Sequence, residues 1–407
     1  MKTLFASVLI SCLFFLPALR ADEVRLLPSP VQSLAARVES IQAAREKIYI
    51  ETFYWENDRL GNALLAILAS KKKIIPNIDI KILLDDFGSA SFPKSKLCFA
   101  KALGISIKMF NPVKKSNPLL SQRRDHRKMW MTEKTYFLGG RNLSDENFDS
   151  KKWDLDAQFT IEQLSNVENT IMSMWDQSVE LNCENVKPEA PSFELTIRDY
   201  AKSHLKNIEW HSVDVELAFD FGMDEKSTYL QFIKQLQDAR ESVLIESGYF
   251  TPNQTVLNLL KSQSRLGVTT QITTNSPFFE YWMGTISTCA AIKYQKQILN
   301  LPGVIVKHPI DSNSTHSKIL YTDRSVFSFG SFNVHEKSFS WNAETWVTLR
   351  NLSLGFKKEI ETTLNERKLL SRTISHPKDF NLQSQTIKNQ LKCSTYEIFA
   401  PILRPFI

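Results

Sequence analysis

Two histidine–lysine pairs are the residues of this sequence best suited to chemistry. His316 and Lys318 are two positions apart, so an extended strand presents both side chains on one face. A β-hairpin is predicted here, with Asp323 near its turn, and its second strand ends at Ser331 and Asn333. An imidazole can attack or protonate, while ammonium, hydroxyl and carboxamide groups can hold phosphate oxygens. The hairpin therefore supplies half of an acid–base pair.

A second copy of this pattern supplies the other half. His126 and Lys128 have the same spacing, and a strand, a turn and a strand lead to Gly139-Gly140-Arg141-Asn142. The two histidines are 190 positions apart, and further segments recur at a similar offset: AREKIYIETFYW with ARESVLIESGYF, NIDIKILLDD with GVTTQITTNS, and GISIKMF with GVIVKHP. This self-similarity predicts a tandem duplication at domain scale.

The doubled His-x-Lys hairpin, followed each time by Gly-Gly/Ser-x-Asn, resembles the HKD motif of the phospholipase D superfamily, over most of the chain after residue 30. Several segments resemble bacterial cardiolipin synthases, particularly the C-type branch: LLDDFGSASFP, FNPV, GGRNLSDENF, ESGYFTPN and GSFNVHEKSFSWNAE. The resemblance implies two phospholipase D-like α/β sandwich halves, each a mixed sheet flanked by helices, related by a pseudo-two-fold axis.

The resemblance also implies a mechanism through a phosphohistidine. Family precedent makes His126 the nucleophile and His316 the acid that protonates the departing alcohol and then activates the incoming one. Asp323 would be a structural acid, and no metal or other cofactor is expected. Charge on the phosphoryl oxygens would be stabilised by Lys128, Lys318, Asn142, Asn333 and Ser331.

Two acids are expected to orient the histidines. WDLDAQF aligns with WNAETWV, which places Asp156 opposite Glu344. The resemblance implies that each carboxylate bonds the far ring nitrogen of a histidine and fixes its tautomer. The other histidines have no partner pattern and are interpreted as structural: His204, His211, His308, His335 and His376.

The first motif departs from the family pattern. Thr132 or Glu133 stands where the family has Asp, and Asn142 follows His126 by 16 positions, whereas the second copy has 17. One residue is therefore predicted to be missing in or near the first turn. This change leaves a degenerate, non-catalytic lipid-binding protein as an alternative.

Composition and the N-terminal residues limit the possible domain count and cellular location. The 407 residues are 43% hydrophobic, which excludes disorder and allows two domains. Residues 1–21 resemble a signal peptide, with cleavage after Ala21, although an uncleaved anchor or, less favoured, a lipoprotein site at Cys12 is possible. An exported protein of the cell envelope, or one associated with the membrane, is expected. The remaining cysteines are free thiols or form one or two disulfides: Cys98, Cys183, Cys289 and Cys393.

The domain hypothesis follows the repeat. The first domain is predicted at 30–187, the second at 192–371 and a C-terminal tail at 372–407, with Pro188 and Pro191 interrupting regular structure between the halves. Asp85 and Asp86 are interpreted as a turn at the end of a strand.

Substrate class rests on three weaker features. The aromatic segment Ser276–Thr288 and the apolar end of the chain suit a membrane interface, although the former also suits a core helix. Five basic residues near the first hairpin could attract anionic head groups: Lys114, Lys115, Arg123, Arg124 and Arg127. A net charge of +6, which falls to +4 without residues 1–21, is too weak for a dedicated nucleic-acid surface.

These observations favour a membrane-associated phosphatidyltransferase of phospholipid metabolism, of cardiolipin-synthase type, acting on an anionic phospholipid. The alternatives are a phospholipase D that hydrolyses phospholipids to phosphatidic acid, then a nuclease of the same superfamily, then the non-catalytic binding protein. Nucleic acid is the less favoured partner, and no protein partner is evident.

Overall fold

The computed structural model describes residues 22–112, 122–192, 204–205, 208–221, 226–277, 285–376 and 379. Several sequence-based predictions fall outside these ranges: the signal peptide, Lys114 and Lys115, most of the aromatic segment, and the end of the chain from residue 380. Within the described ranges, no helix is both long and apolar enough to cross a membrane.

The first half of the chain alternates strands and helices. Its elements are β1 Asp22–Leu27, α1 Pro30–Ala43, β2 Lys47–Thr52, α2 Arg59–Ile74, β3 Asp79–Asp85, α3 Lys94–Ala102, β4 Ser106–Phe110, β5 Lys128–Thr132, β6 Tyr136–Gly139, β7 Lys152–Trp153, β8 Asp156–Phe159, α4 Leu164–Asp176 and β9 Val179–Glu180.

The second half repeats this plan. Its elements are β10 His211–Phe219, α5 Ser227–Asp238, β11 Ser242–Ser247, α6 Gln254–Arg265, β12 Thr269–Thr273, α7 Thr285–Leu299, β13 Val304–Pro309, β14 Ser314–Thr315, β15 Lys318–Thr322, β16 Val326–Gly330, α8 Glu336–Ser340, β17 Thr345–Arg350, α9 Leu354–Leu369 and β18 Ser371–Ile374.

Sixteen strands form one sheet whose order is symmetric about its centre. The order is β9-β4-β3-β2-β5-β6-β8-β1 in the first half, continuing β10-β17-β16-β15-β11-β12-β13-β18 in the second. Each strand thus has a counterpart at the same distance from the centre. Pairs such as β2 with β3 are parallel and those of the hairpins are antiparallel, so the predicted α/β class with mixed sheets flanked by helices is confirmed.

The central pair, β1 with β10, was not predicted. It is antiparallel, with Val24 opposite His211, and joins the two half-sheets edge to edge into one continuous sheet. Within the described ranges, regular structure begins at Asp22, before residue 30, where the first domain was placed. The division into two domains stays a prediction, and residues 185–192 between the halves contain no helix or strand.

Local sequence explains where the principal helices start. Asp58 accepts a hydrogen bond from the backbone N–H of Gly61 at the start of α2, and Asn253 does the same for Val256 at the start of α6. A side-chain oxygen at this position satisfies an N–H that the helix itself leaves unpaired.

The two hairpins differ by one residue, as predicted. In the first, Met129 lies opposite Leu138. In the second, Ile319 lies opposite Phe329, which is one position farther along. The missing residue is therefore in the first turn, and the strands that carry the histidines keep their register.

A shared core binds the halves together. Apolar side chains of both hairpins pack in one cluster, including Met131 and Tyr136 from the first half and Phe329 and Val347 from the second. Separate clusters lie within each half on the far side of the sheet. Because the shared cluster lies against both hairpins, it fixes their relative position.

Cys98 and Cys183 form a disulfide, which confirms one of the alternatives left open for the cysteines. The bond joins α3 to the chain just after the edge strand β9.

Candidate active site

The two histidine hairpins meet across the centre of the molecule. His316, at the start of the second hairpin, places its Nδ1 atom 2.6 Å from Oδ2 of Asp154 in the first half. His126, at the start of the first hairpin, places its Nδ1 atom 3.0 Å from Oε2 of Glu344 in the second half. Each histidine is therefore bonded by an acid from the opposite half.

Backbone hydrogen bonds hold this crossed arrangement. The N–H of His126 donates to the carbonyl of Ala343, directly before Glu344, at 3.0 Å. The N–H of His316 donates to the carbonyl of Trp153, directly before Asp154, at 2.7 Å. Each histidine backbone is thus fixed beside the acid that its ring contacts.

The prediction that Asp156 orients a histidine is wrong. Its carboxylate is completely buried, accepts a hydrogen bond from Ser33 at 2.6 Å, and forms ion pairs with Arg37 at 3.0 Å and Arg141 at 3.3 Å. It stabilises the fold beneath the site, and Asp154 takes the predicted role.

Strand register explains the error. Gly139 and Gly330 are equivalent glycines, yet Gly139 lies opposite Asp156 whereas Gly330 lies opposite Trp346. The sequence alignment matched the two tryptophan residues that open WDLDAQF and WNAETWV, and it was therefore wrong by two positions. The residue equivalent to Glu344 is Asp154. Counting from the motif asparagines would have pointed to this stretch to within one residue, because Asp154 is 12 positions after Asn142 and Glu344 is 11 after Asn333.

Both motif lysines point into the same buried space. Lys128 donates to the carbonyl of His126, and Lys318 donates to the carbonyl of His316. Burial lowers the pKa of Lys128 to about 7 and that of Lys318 to about 8, against the partial opposition of the nearby carboxylates. Two ammonium groups in one desolvated site favour the binding of an anion.

The histidine rings are mostly buried, with exposed side-chain fractions of 12% for His126 and 13% for His316. Burial lowers the pKa of His126, and the charges of Lys128 and Lys318 act in the same direction, whereas Glu344 opposes them. Burial and Lys318 lower the pKa of His316 more strongly, against Asp154. Since each Nδ1 atom faces a carboxylate, each Nε2 atom is left for chemistry.

The motif asparagines follow the second strand of each hairpin. Asn142 and Asn333 are both buried, and the Oδ1 atom of each accepts no hydrogen bond from the part of the chain that the structure describes. Their amide groups could therefore turn toward a bound ligand without breaking a bond of the fold.

Ser331 has a different contact from the one predicted. Its hydroxyl donates to Oε2 of Glu344, and its oxygen accepts from the N–H of Thr345 at 2.9 Å. Because the proton of the hydroxyl is committed to Glu344, Ser331 supports that carboxylate and does not offer a donor to a phosphate.

Glu133 fills the place of the missing motif aspartate. Its carboxylate accepts the backbone N–H groups of Arg45, Glu46 and Lys47 at the entry to β2. Asp323 accepts those of Arg240, Glu241 and Ser242 at the entry to β11. The departure from the family pattern therefore leaves the structural role intact.

Buried ion pairs beneath the site were missed by sequence analysis. Arg127 pairs with Glu51 in the first half, and Arg367 pairs with Glu246 at 2.6 Å in the second. The two glutamates are equivalent in the repeated segments, which was a signal that could have been used. The arginines come from different elements, so no repeat pattern reveals them.

Two of the five residues in the basic cluster predicted near the first hairpin do not take the expected role. Arg127 is fully buried with Glu51, and Arg124 is buried with Asp85 at 3.2 Å. These guanidinium groups are neutralised inside the fold and are not available to lipid head groups. Asp85 accepts the N–H groups of Phe87 and Gly88, which confirms the turn at the end of β3.

Two of the histidines interpreted as structural have contacts that fit that interpretation. His211 stacks on Phe356 and bonds Glu359 at 2.9 Å. His335, beside the site, accepts the N–H of Ser338 at the start of α8.

Comparison with known proteins agrees with this geometry. Residues 232–367 match the family model described as cardiolipin synthase, PLD-like domain. Cardiolipin synthase 1 of Staphylococcus epidermidis is 26% identical over 353 residues, covering 83% of this chain and 66% of the relative. The cardiolipin synthase of Clostridium perfringens is 24% identical over 332 residues, covering 79% of this chain and 66% of that protein. The chain thus spans just under two thirds of the length of these curated relatives.

A solved structure shares the fold. The phosphatidylserine synthase of Haemophilus influenzae superposes with a TM-score of 0.75, covering 94% of this chain and 95% of that one, at 15% identity. At such low identity the superposition shows a shared fold and nothing more. This shared fold extends over both halves of the chain. The chain is therefore similar to the bacterial cardiolipin synthases in sequence and shares the fold of the phosphatidylserine synthase.

Proposed function

We propose that the protein is a phospholipid phosphatidyltransferase of cardiolipin-synthase type. The observation that carries the proposal is the crossed pair of histidine–carboxylate contacts, Asp154 with His316 and Glu344 with His126, around two buried lysines. Such a site holds a phosphodiester anion between two imidazoles. The similarity to cardiolipin synthases supports a phospholipid as the diester.

The first step forms a phosphohistidine. Nε2 of His126 attacks phosphorus, the bond from phosphorus to the head-group oxygen breaks, and His316 gives that oxygen its proton. Glu344 and Asp154 keep the Nδ1 protons in place, so that the Nε2 atom of each ring is left for attack or proton transfer.

The second step reverses these movements. His316 takes a proton from the incoming alcohol, whose oxygen attacks phosphorus while the bond to Nε2 of His126 breaks. Lys128 and Lys318, with Asn142 and Asn333, stabilise charge on the phosphoryl oxygens in both steps. Water in place of the lipid alcohol would give hydrolysis to phosphatidic acid.

The assignment of roles has its own test. His126→Ala should form no covalent intermediate, because its nucleophile is gone. His316→Ala should retain slow formation of the intermediate with a substrate whose leaving group needs no proton, such as a p-nitrophenyl phosphodiester. Intact-protein mass spectrometry detects the adduct, and an adduct in the His126→Ala variant would reverse the assignment.

Lipid product analysis tests the function itself. Purified protein is incubated with phosphatidylglycerol and phosphatidylethanolamine vesicles beside the His316→Ala variant, and the products are measured by mass spectrometry. Cardiolipin that disappears in the variant supports the transferase. Phosphatidic acid alone would make the protein a hydrolase, and turnover of plasmid DNA without lipid turnover would make it a nuclease.

An exported, membrane-associated location belongs to the same proposal. The disulfide between Cys98 and Cys183 suits an oxidising compartment. Cleavage after Ala21 would leave Asp22, the first residue of β1, at the new N-terminus. Mass measurement of the protein purified from cell envelopes checks this, and an intact leader would favour the anchor.

A further inference from the structure

The two carboxylates that bond the histidines have different surroundings. Oε2 of Glu344 accepts from His126 and from the hydroxyl of Ser331. Oε1 of the same residue accepts from the hydroxyl of Ser338 at 2.6 Å and from the side-chain amide of Asn342 at 3.3 Å. Glu344 therefore receives three side-chain hydrogen bonds in addition to that of the histidine.

Asp154 receives fewer. Its Oδ2 atom contacts His316 at 2.6 Å, and its Oδ1 atom accepts the backbone N–H of Leu155 at 2.9 Å. No side-chain hydroxyl or amide within the described ranges donates to this carboxylate. Against the effect of burial, the charges of Lys318, His316 and Arg141 hold the pKa of Asp154 well below its usual range. The two equivalent acids are therefore stabilised in different ways, Glu344 by neutral donors and Asp154 by charge.

Comparison of equivalent positions in the two halves shows why Asp154 lacks the side-chain donors that Glu344 has. Counted from the motif asparagines, Ser331 corresponds to Gly140, which has no side chain, and Ser338 corresponds to Asn147. Asn147 donates its amide to Ser144 at 2.7 Å and does not reach the acid of its own half.

The third donor differs in the same way. Asn342 corresponds to Lys152, because each lies two positions before its acid. Lys152 forms an ion pair with Glu146 at the surface and leaves Asp154 without an amide donor. All three positions thus supply a hydrogen bond in the second half and none in the first.

Ser338 is held in its orientation from two sides. Its backbone N–H donates to Nδ1 of His335 at 3.4 Å, and its hydroxyl oxygen accepts the N–H of Asn333 at 3.2 Å. It is fully buried, so the hydroxyl has no competing bond to solvent. Its proton is therefore directed at Glu344.

We propose that Ser338 and Asn342 are positioning residues for His126, acting through Glu344, and that they make the two histidines of the duplicated site chemically unequal. Their hydrogen bonds stabilise the negative charge of Glu344, so this carboxylate stabilises the doubly protonated ring of His126 less. His126 therefore stays neutral, and its Nε2 atom keeps the lone pair needed for attack. This inference rests on the proposed phosphatidyl transfer and assigns its asymmetry to named residues.

The other groups that face His126 are the same in the wild type and in a variant that lacks one donor to Glu344. Glu344 favours the charged ring, whereas Lys128 and Lys318 disfavour it, and His335 lies close enough to interact with it. The ring of Phe53 packs edge-on at 5.1 Å and adds no charge. Removing one neutral donor from Glu344 should therefore raise the pKa of His126 by about half to one unit.

The experiment measures the ring pKa directly in the whole protein. Histidine is labelled with ¹³C at Cε1, and the seven histidines are titrated by NMR, with His126→Ala and His316→Ala used to assign two of the signals. Ser338→Ala should raise the pKa of His126 and leave that of His316 in place. Ser338→Thr, which keeps a hydroxyl, should restore it, and Asn147→Ala is the matched control that should move neither.

Activity gives a second readout. The acidic limb of the pH profile of kcat/KM should move to higher pH in Ser338→Ala by the same amount as the NMR titration. An unchanged His126 pKa in a folded Ser338→Ala protein, or an equal shift in Asn147→Ala, would overturn the inference. If the wild type turns over no lipid, the proposed function fails, while the titration still tests the coupling of Ser338 to His126.

Discussion

Asp154 and His316 are 162 positions apart in the chain, and their side chains meet at 2.6 Å across the centre of the molecule. The reciprocal contact, between Glu344 and His126, spans 218 positions. Neither motif histidine takes its acid from its own half. The shared core of the two hairpins is therefore a condition for chemistry as well as for stability, since a small shift of one half would separate both pairs.

Replacing Asp154 by Asn should reduce kcat by about 10²- to 10⁴-fold without loss of the fold. The amide is similar in size but carries no charge, and it can donate to His316, which favours the wrong tautomer and leaves an imidazolium unsupported. Vesicle turnover and a thermal melt measure the two effects. Full activity in this variant would show that the contact is not used.

Asp156→Asn is the matched comparison and should have the opposite outcome. This residue touches no histidine, but it holds two buried arginines, Arg37 and Arg141. Breaking a buried ion pair by removing one partner costs about 3–5 kcal/mol of unfolding free energy. Denaturant titration should show that loss, while the folded fraction keeps its turnover.

The repeat explains how much could be predicted. The duplicated hairpins fixed the positions of His126, Lys128, His316 and Lys318, because motif spacing on paired strands determines which side chains share a face. It also predicted the shorter first turn. These features depend on residues close together in the chain, so periodicity and turn residues are enough to predict them.

The errors concern contacts made over long distances. Asp154 was missed because the sequence does not reveal the register of β8, in which Asp156 comes opposite Gly139. The pair β1–β10 was missed because Asp22–Leu27 lies outside the duplicated motifs, and its partner strand comes from the other half. Arg124 and Arg127 were misjudged because burial beside Asp85 and Glu51 cannot be read from charge alone.

Glu133 should be important for stability and not for the chemical step. It accepts three backbone N–H groups, and this outweighs burial to lower its pKa. Glu133→Ala should lower the unfolding free energy by about 1–3 kcal/mol, because those donors lose their partner. Glu133→Gln keeps an acceptor oxygen and should lose less.

Asp323→Ala provides the comparison for this prediction, since Asp323 serves the equivalent backbone groups in the second half. Both alanine variants should retain kcat in their folded fraction. A selective loss of turnover in Glu133→Ala would show that the altered motif takes part in catalysis.

Anion binding should weaken as the pH rises. Burial lowers the pKa of Lys128 to about 7 and that of Lys318 to about 8, and an anion binds the protonated lysines. Below pH 7 both are charged, whereas above pH 8 binding requires proton uptake by both. Sulfate affinity, measured by calorimetry, should therefore be at least about tenfold weaker at pH 9 than at pH 6.5.

Sulfate keeps its charge over this range, so the titration reports on the protein. Lys128→Met should bind sulfate more weakly at pH 6.5 and show a shallower dependence on pH. A flat profile in the wild type would mean that the lysines keep their ordinary pKa despite burial.

The disulfide between Cys98 and Cys183 should stabilise the half that carries His126. Its sequence separation of 85 encloses the whole first hairpin, and it fastens the chain after β9, an edge strand of two residues, to α3. Closing a loop of this length restricts the unfolded chain and is worth about 2–5 kcal/mol. The oxidised wild type and the Cys98→Ala/Cys183→Ala variant should differ by that amount in denaturant titration. Because the bond lies far from the two histidines in sequence and touches neither, kcat of the folded variant should stay unchanged, and equal stability of the two proteins would contradict the prediction.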